Sequence, residues 1–160
     1  TFVVPEPYIS TDVAKIMSLQ DPESKMSKSD SNENSYVLIT DSPDVIRRKF
    51  KRSVTDSIGV VNYTDEQPGV KNLINIYSKI SNIKPEEIVS NYESKGYAKL
   101  KEDVAEVVIE ELKPIQERID YLLKNKDYLE KIYNAGAQKA EVVANKTLKK
   151  AQKKVGFIPR

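Results

Sequence analysis

Two long stretches of apolar residues at helical spacing constrain this chain more than any other feature of its sequence. Val104, Val107, Val108, Leu112, Ile115, Ile119, Leu122 and Leu123 form the first stripe, and Leu129, Ile132, Tyr133, Ala140, Val143, Ala144, Leu148 and Ala151 form the second. Each follows the helical period, with steps of three, four or seven, over a span well beyond the ~4–8 residues of an ordinary strand, so both read as long amphipathic helices. Asn125-Lys126-Asp127 breaks the pattern between them. Pro114 lies inside the first stripe, where it removes an i→i−4 hydrogen bond and predicts a kink. Stripes of this kind need a partner to be covered, and the economical arrangement is a helix bundle with both stripes in its core.

The residues before them are punctuated more finely. Ser42, Pro43 and Asp44 combine an N-cap, a first-turn proline and an acid at the positive end of the dipole, predicting a helix to about Arg52. After Gly59 and a Pro68-Gly69 turn, Val70, Leu73, Ile74, Tyr77 and Ile80 give another helical stripe. Pro85, with Glu86 and Glu87, opens a short helix that Ser94-Lys95-Gly96 stops. Two segments read as strands. Thr1 to Val4 is apolar and ends at Pro5 and Pro7, which cannot donate to a ladder, and Tyr36 to Thr40 is aromatic and β-branched. Val13 to Leu19 is a short apolar stretch, a helical turn or a strand. An opening strand without a polar lead-in predicts that the chain is part of a longer protein.

Composition removes several chemistries. The 160 residues contain no cysteine and no histidine. Disulfides, thiolate nucleophiles and cysteine metal sites are thereby excluded, as are imidazole acid–base catalysis and the commonest transition-metal ligand. No apolar run approaches the ~20 residues of a membrane helix and no signal-peptide pattern opens the chain, so no membrane partner and a cytoplasmic location are expected. The net charge is only +2, but it is unevenly spread. Residues 139–160 hold Lys139, Lys146, Lys149, Lys150, Lys153, Lys154 and Arg160 against Glu141, a local +6. A second basic knot holds Arg47, Arg48, Lys49, Lys51 and Arg52. Either suits a polyanion, and either also reads as a solvated helix face.

Between the turn Asp21-Pro22-Glu23-Ser24 and Ser35 every residue except Met26 is small, polar or charged, which reads as a surface loop. Within it, Lys25-Met26-Ser27-Lys28-Ser29 sets two ammonium groups three residues apart among hydroxyl side chains. Flexible, hydrated point charges can follow a moving phosphate. When the α-phosphorus of ATP is attacked, charge builds on the departing pyrophosphate, and cations that reach those oxygens best in the transition state lower the barrier. Lys-x-x-Lys alone is weak, since two lysines in a polar loop are more often solvated charge; the full pentapeptide is less common.

Its surroundings add a resemblance. Ala14-Lys15-Ile16-Met17-Ser18-Leu19, Asp21-Pro22 and Lys25-Met26-Ser27-Lys28-Ser29-Asp30 resemble the end of the catalytic domain of class I aminoacyl-tRNA synthetases, more narrowly the bacterial tryptophanyl-tRNA synthetases. Further similar segments are Ser53-Val54-Thr55-Asp56-Ser57, Lys71-Asn72-Leu73-Ile74-Asn75-Ile76-Tyr77, Lys95-Gly96-Tyr97 and Leu112-Lys113-Pro114-Ile115-Gln116-Glu117-Arg118, so the likeness spans essentially the whole chain. It implies that Lys25 and Lys28 are catalytic, engaging ATP phosphates and pyrophosphate, that Ile16 borders the adenosine, and that Met26, Ser27 and Ser29 complete the nucleotide-binding set. Mg2+ would be held mainly through phosphates, with no metal site in the chain itself.

The resemblance also implies a mainly α fold: a helical-bundle anticodon-binding domain at 36–126, preceded at 1–35 by a short α/β remnant of a class I Rossmann catalytic domain. Residues 127–160 would be a C-terminal helix packing on the catalytic domain, with Phe157 and Ile158 as anchors. Arg47, Arg48, Lys51 and Arg52 are the candidate tRNA contacts. The implied partners are tRNA(Trp), ATP and tryptophan, the last through a preceding half that also makes the homodimer. The family's His-containing signature, its Gly-x-Asp-Gln segment and its tryptophan pocket are absent from this sequence, so the chain alone is expected not to activate tryptophan. Two alternatives remain at this point. A tyrosyl-tRNA synthetase also carries the loop, although Lys113 to Arg118 and the lack of a distinct RNA-binding tail domain argue against it. A non-catalytic helical RNA-binding module that merely retains the loop is the other.

Overall fold

A computed structural model describes residues 2–7 and 15–157. The helices are α1 (Pro43–Lys51), α2 (Pro68–Ser81), α3 (Pro85–Tyr92), α4 (Gly96–Lys124) and α5 (Lys126–Lys154), with a 3-10 turn at Glu33–Ser35. Each of α1, α2 and α3 opens on a proline, whose fixed φ suits the first helical position and whose missing N–H would have had no partner there. Ser42 has the extended backbone of an N-cap but makes no capping bond, so the start of α1 rests on Pro43 and the Asp44 carboxylate. Pro68 and Gly69, expected as a turn, are instead the first two residues of α2. Asn82 ends that helix in the left-handed region at φ 56°. α4 continues through Pro114, and only Asn125 separates it from α5.

The chain divides into two compact units, residues 9–116 and residues 1–8 with 117–160. The core lies in the first. Ile46 and Phe50 of α1, Val70, Leu73, Ile74 and Ile76 of α2, Ile88 and Tyr92 of α3, and Leu100, Val104, Ala105 and Val108 of α4 close around Leu19 and Val61. Each large side chain fully buried in this way contributes roughly 1.5–3 kcal/mol. The first half of the α4 stripe is therefore core, as its spacing predicts. The α5 stripe is not: α5 has no buried residue, and Ile132, Tyr133, Val143 and Leu148 are 47%, 57%, 67% and 52% exposed.

The expected α/β remnant of a Rossmann domain is overturned. Among the described residues there is no β-strand, only an isolated antiparallel bridge between Met17 and Lys25, and the fold is all-helical with an irregular lead-in. Phe2, Val3 and Val4 form no strand and are 78%, 93% and 88% exposed. Thr1, residues 8–14 (with Val13 and Ala14 of the expected apolar stretch), and Ile158 to Arg160 lie outside the described residues. Tyr36 to Thr40 also joins no ladder. The Gln116 carboxamide of α4 donates to the carbonyls of Ile39 (2.7 Å) and Asp41 (2.9 Å), and the Leu38 N–H donates to the Asp41 carboxylate (2.9 Å). Aromatic and β-branched residues favour a strand only where another strand lies alongside, and here side chains take those backbone groups.

Candidate functional site

The lysine loop rises from an extended segment whose peptide groups are fixed one after another. The Met26 N–H donates to the Ile16 carbonyl (3.0 Å) and the Ser18 N–H to the Ser24 carbonyl (2.8 Å), which sets Met17 opposite Lys25. Asn72 of α2 bonds both the N–H and the carbonyl of Met17, at 2.9 and 2.8 Å. The Leu19 N–H donates to Ser35 (2.9 Å), and the Leu19 carbonyl accepts from Val54 (2.8 Å). Gln20 reaches the Arg52 carbonyl at 2.9 Å. Beyond this base the tip tightens: the Ser27 and Ser29 hydroxyls are 2.9 Å apart, and the Asp30 N–H closes on the Ser27 carbonyl at 3.2 Å.

Lys25, at the edge of the base, and Lys28, on the tip, are both exposed, and no described residue pairs with either ammonium. They are available to an anion. Ile16 and Met26 are brought together below them. Their partly buried side chains pack on the core and, with Val37, Ile39, Phe50, Ile76, Lys79, Ile80, Val108 and Leu112, line an apolar groove of about 310 Å³. The ammonium and hydroxyl groups of the tip suit phosphate oxygens, whereas a divalent cation needs an oxygen cage. Among the described residues no group of three or more His, Cys, Asp or Glu could hold a metal ion.

The basic knot divides by burial. Lys49 is 3% exposed, bonds Asp41 at 2.6 Å and sits 5.1 Å from the centre of the Tyr36 ring. It is a core ion pair. Arg47, Arg48, Lys51 and Arg52 are exposed. Arg47 is held by a two-pronged bond to Glu106 (2.6 and 3.0 Å) and by Asp44 (3.2 Å). The Glu106 bond holds the guanidinium above its ordinary pKa and keeps the Glu106 carboxyl below its own.

Arg47 and Lys51 also line a groove of about 780 Å³ whose other cations are Lys95, Lys99 and Lys101, against only Glu102 and Glu106. Lys99 is neutralised by Glu102 (3.0 Å) and Asp103 (2.9 Å). Lys95 rests 5.3 Å from the Tyr92 ring centre, and Lys101 donates to the Ser53 carbonyl at 2.7 Å. Burial lowers the Lys101 pKa. These three lysines were not among the expected RNA contacts; the one available signal was the i, i+4 repeat of Lys95 and Lys99 where α4 begins. Arg48 and Arg52, which were expected, do not line this groove.

Comparison with known proteins follows the same residues. The family description "tRNA synthetases class I (W and Y)" matches residues 2–113. The chain belongs to the class I tRNA synthetases of that W and Y group. Within this synthetase family it is 59% identical to the tryptophan–tRNA ligase of Clostridium perfringens, over 100% of this chain and 48% of that protein. It is 57% identical to the tryptophan–tRNA ligase of Clostridium acetobutylicum, over 99% of this chain and 47% of that one. The crystal structure of tryptophanyl-tRNA synthetase from Mycoplasma pneumoniae matches with a TM-score of 0.78 at 26% identity, covering 93% of this chain and 45% of that chain. The chain is thus homologous to bacterial tryptophan–tRNA ligases along nearly all its length, which sets aside the tyrosyl alternative. It spans about half the length of the curated relatives it matches. Among the described residues no helix is long and apolar enough to cross a membrane.

Proposed function

We propose that this chain supplies the phosphate-handling loop and the tRNA-reading helices of a tryptophan–tRNA ligase, which activates tryptophan with ATP and transfers it from the adenylate to tRNA(Trp). The observation that carries the reading is a pair of ammonium groups, Lys25 and Lys28, that have no partner among the described residues, on a loop whose base is fixed at successive peptides. In it, Lys25 and Lys28 meet the ATP phosphates and follow the charge onto pyrophosphate as it leaves, the Ser27 and Ser29 hydroxyls add donors, and Ile16 and Met26 border the adenosine. Mg2+ would travel with the phosphates, because the loop offers no cage of its own. The division of labour is functional, not a division of folding units. Residues 1–35 close the catalytic domain and residues 36–126 read the anticodon. Within residues 127–160, the uncovered apolar face of α5 packs on the catalytic domain; the support is that α5 (Lys126–Lys154) buries none of its own residues.

The RNA half of the proposal rests on charge. Arg47 and Lys51, together with Arg48 and Arg52 beside them, would fix the RNA backbone through phosphates, and Lys95 and Lys101 extend that surface within the same groove. The test of the catalytic half is tryptophan-dependent ATP–pyrophosphate exchange by a complete ligase carrying this chain. Lys25→Ala and Lys28→Ala should each lower kcat by roughly 100-fold or more, with the KM for tryptophan little changed. Loss confined to tryptophan affinity would remove the role assigned to the loop.

A further inference from the structure

Asn72 is an unexpected residue on the buried face of α2. It lies among Val70, Leu73, Ile74 and Ile76 and is only 3% exposed. A polar side chain there is costly unless its hydrogen bonds are made, and a leucine would serve the core equally well. Its bonds go to one residue, 55 positions away: Oδ1 accepts the Met17 N–H at 2.9 Å, and Nδ2 donates to the Met17 carbonyl at 2.8 Å. Those are the two bonds that a residue on a neighbouring antiparallel strand would make. On its other side Met17 is bridged to Lys25. A side chain, a backbone residue and the loop lysine therefore stand in one row, with the side chain in place of the missing strand.

We infer that Asn72 is a positioning residue for ATP activation, setting the place of Lys25 through Met17 and so tying the loop to α2. The inference rests on the proposed role of Lys25. Without Asn72 the Met17 peptide loses both partners, while the adjoining backbone bonds of Ser18, Leu19 and Met26 can still form. The loop then shifts and the unit stays folded. A displacement of about 1 Å at a reacting group is enough to cost ~100-fold in rate.

The test is a double-mutant cycle in a complete tryptophan–tRNA ligase carrying this chain, read by ATP–pyrophosphate exchange. Asn72→Ala should lower kcat roughly 10–100-fold, with the KM for tryptophan within about twofold. Asn72→Asp keeps an acceptor for the Met17 N–H and should lose less. In a Lys25→Ala background, Asn72→Ala should cost less than about twofold more, because both changes disable one group. A residue that only stabilised the fold would lower exchange by the same factor whether or not Lys25 is present, and that result overturns the inference, as does an unchanged kcat in a folded Asn72 variant. If Asn72→Ala does not fold, Asn72→Asp carries the same cycle. Lys25→Ala leaving exchange intact would instead overturn the reading of the loop, and the inference with it; a normal Lys25 effect with additive Asn72 overturns the inference alone.

Discussion

Of the five basic side chains between Arg47 and Arg52, only Lys49 is buried, and the same segment supplies both a core ion pair and an exposed cationic surface. Sequence alone treats these lysines and arginines alike; the fold separates them by which face of α1 they occupy. A similar sorting applies to tyrosine. Tyr97 donates its hydroxyl to Asp56 Oδ1 at 2.5 Å and accepts from Gln67 at 2.8 Å and the Gly59 N–H at 3.2 Å. Burial, with the Asp56 bond adding to it, pushes this hydroxyl up to about 12. A phenol whose folded pKa lies above its unfolded value of about 10 contributes stability that is complete below the unfolded value and lost as pH rises through the folded one. Denaturant midpoints of the chain should therefore fall between about pH 10 and pH 12, and Tyr97→Phe, although less stable at neutral pH, should show a shallower fall over that window. An equal alkaline slope in the two proteins would contradict the assignment. Tyr92, raised by burial and by its 2.6 Å bond to Asp103, contributes to the slope that remains.

At the scale of elements, α2 organises the unit. Its N-terminal turn lies against the backbone at Val54, so close that a Cβ on Gly69 would fall 2.2 Å from the Val54 carbonyl oxygen. Val54 in turn donates to Leu19, and Asn72, one turn further along α2, bonds Met17. Gly69→Ala gains up to about 1 kcal/mol in helix propensity, but the backbone overlap dominates, and a net loss of about 2 kcal/mol is expected in chemical denaturation. A stabilised variant would show that α2 is free to shift. The helices themselves are legible in the sequence, because apolar period, Pro43, Pro85 and the Lys95-Gly96 stop are all local signals, whereas Pro68-Gly69 reads as a turn and opens α2 instead. The strands read at Thr1–Val4 and Tyr36–Thr40 do not form among the described residues, because a strand is made by its neighbour, and no residue inside those segments reports whether a neighbour is there. Lys25 and Lys28 are legible from the pentapeptide. Asn72 is not, since its importance lies in bonds to a residue 55 positions away.

For the molecule as a whole, one folded unit carries both an anion-accessible loop held by α2 and a cationic groove between Arg47 and Lys101. The groove predicts salt-dependent binding of a stem-loop with the CCA anticodon. Lys51→Ala should weaken that binding and lower the salt slope by about 1, while a changed anticodon should lower affinity without changing the slope. Equal affinity for any anticodon would leave only a generic basic surface. The loop makes the sharper claim, that its ammonium groups favour the transition state over bound ATP. The direct measurement is Lys28→Ala in a complete ligase, comparing the single-turnover rate of adenylate formation with the dissociation constant for ATP. The rate should fall by roughly 100-fold or more while the ATP constant changes by only a few fold. Equal losses in rate and in ATP affinity, or a rate that is unchanged, would contradict the account.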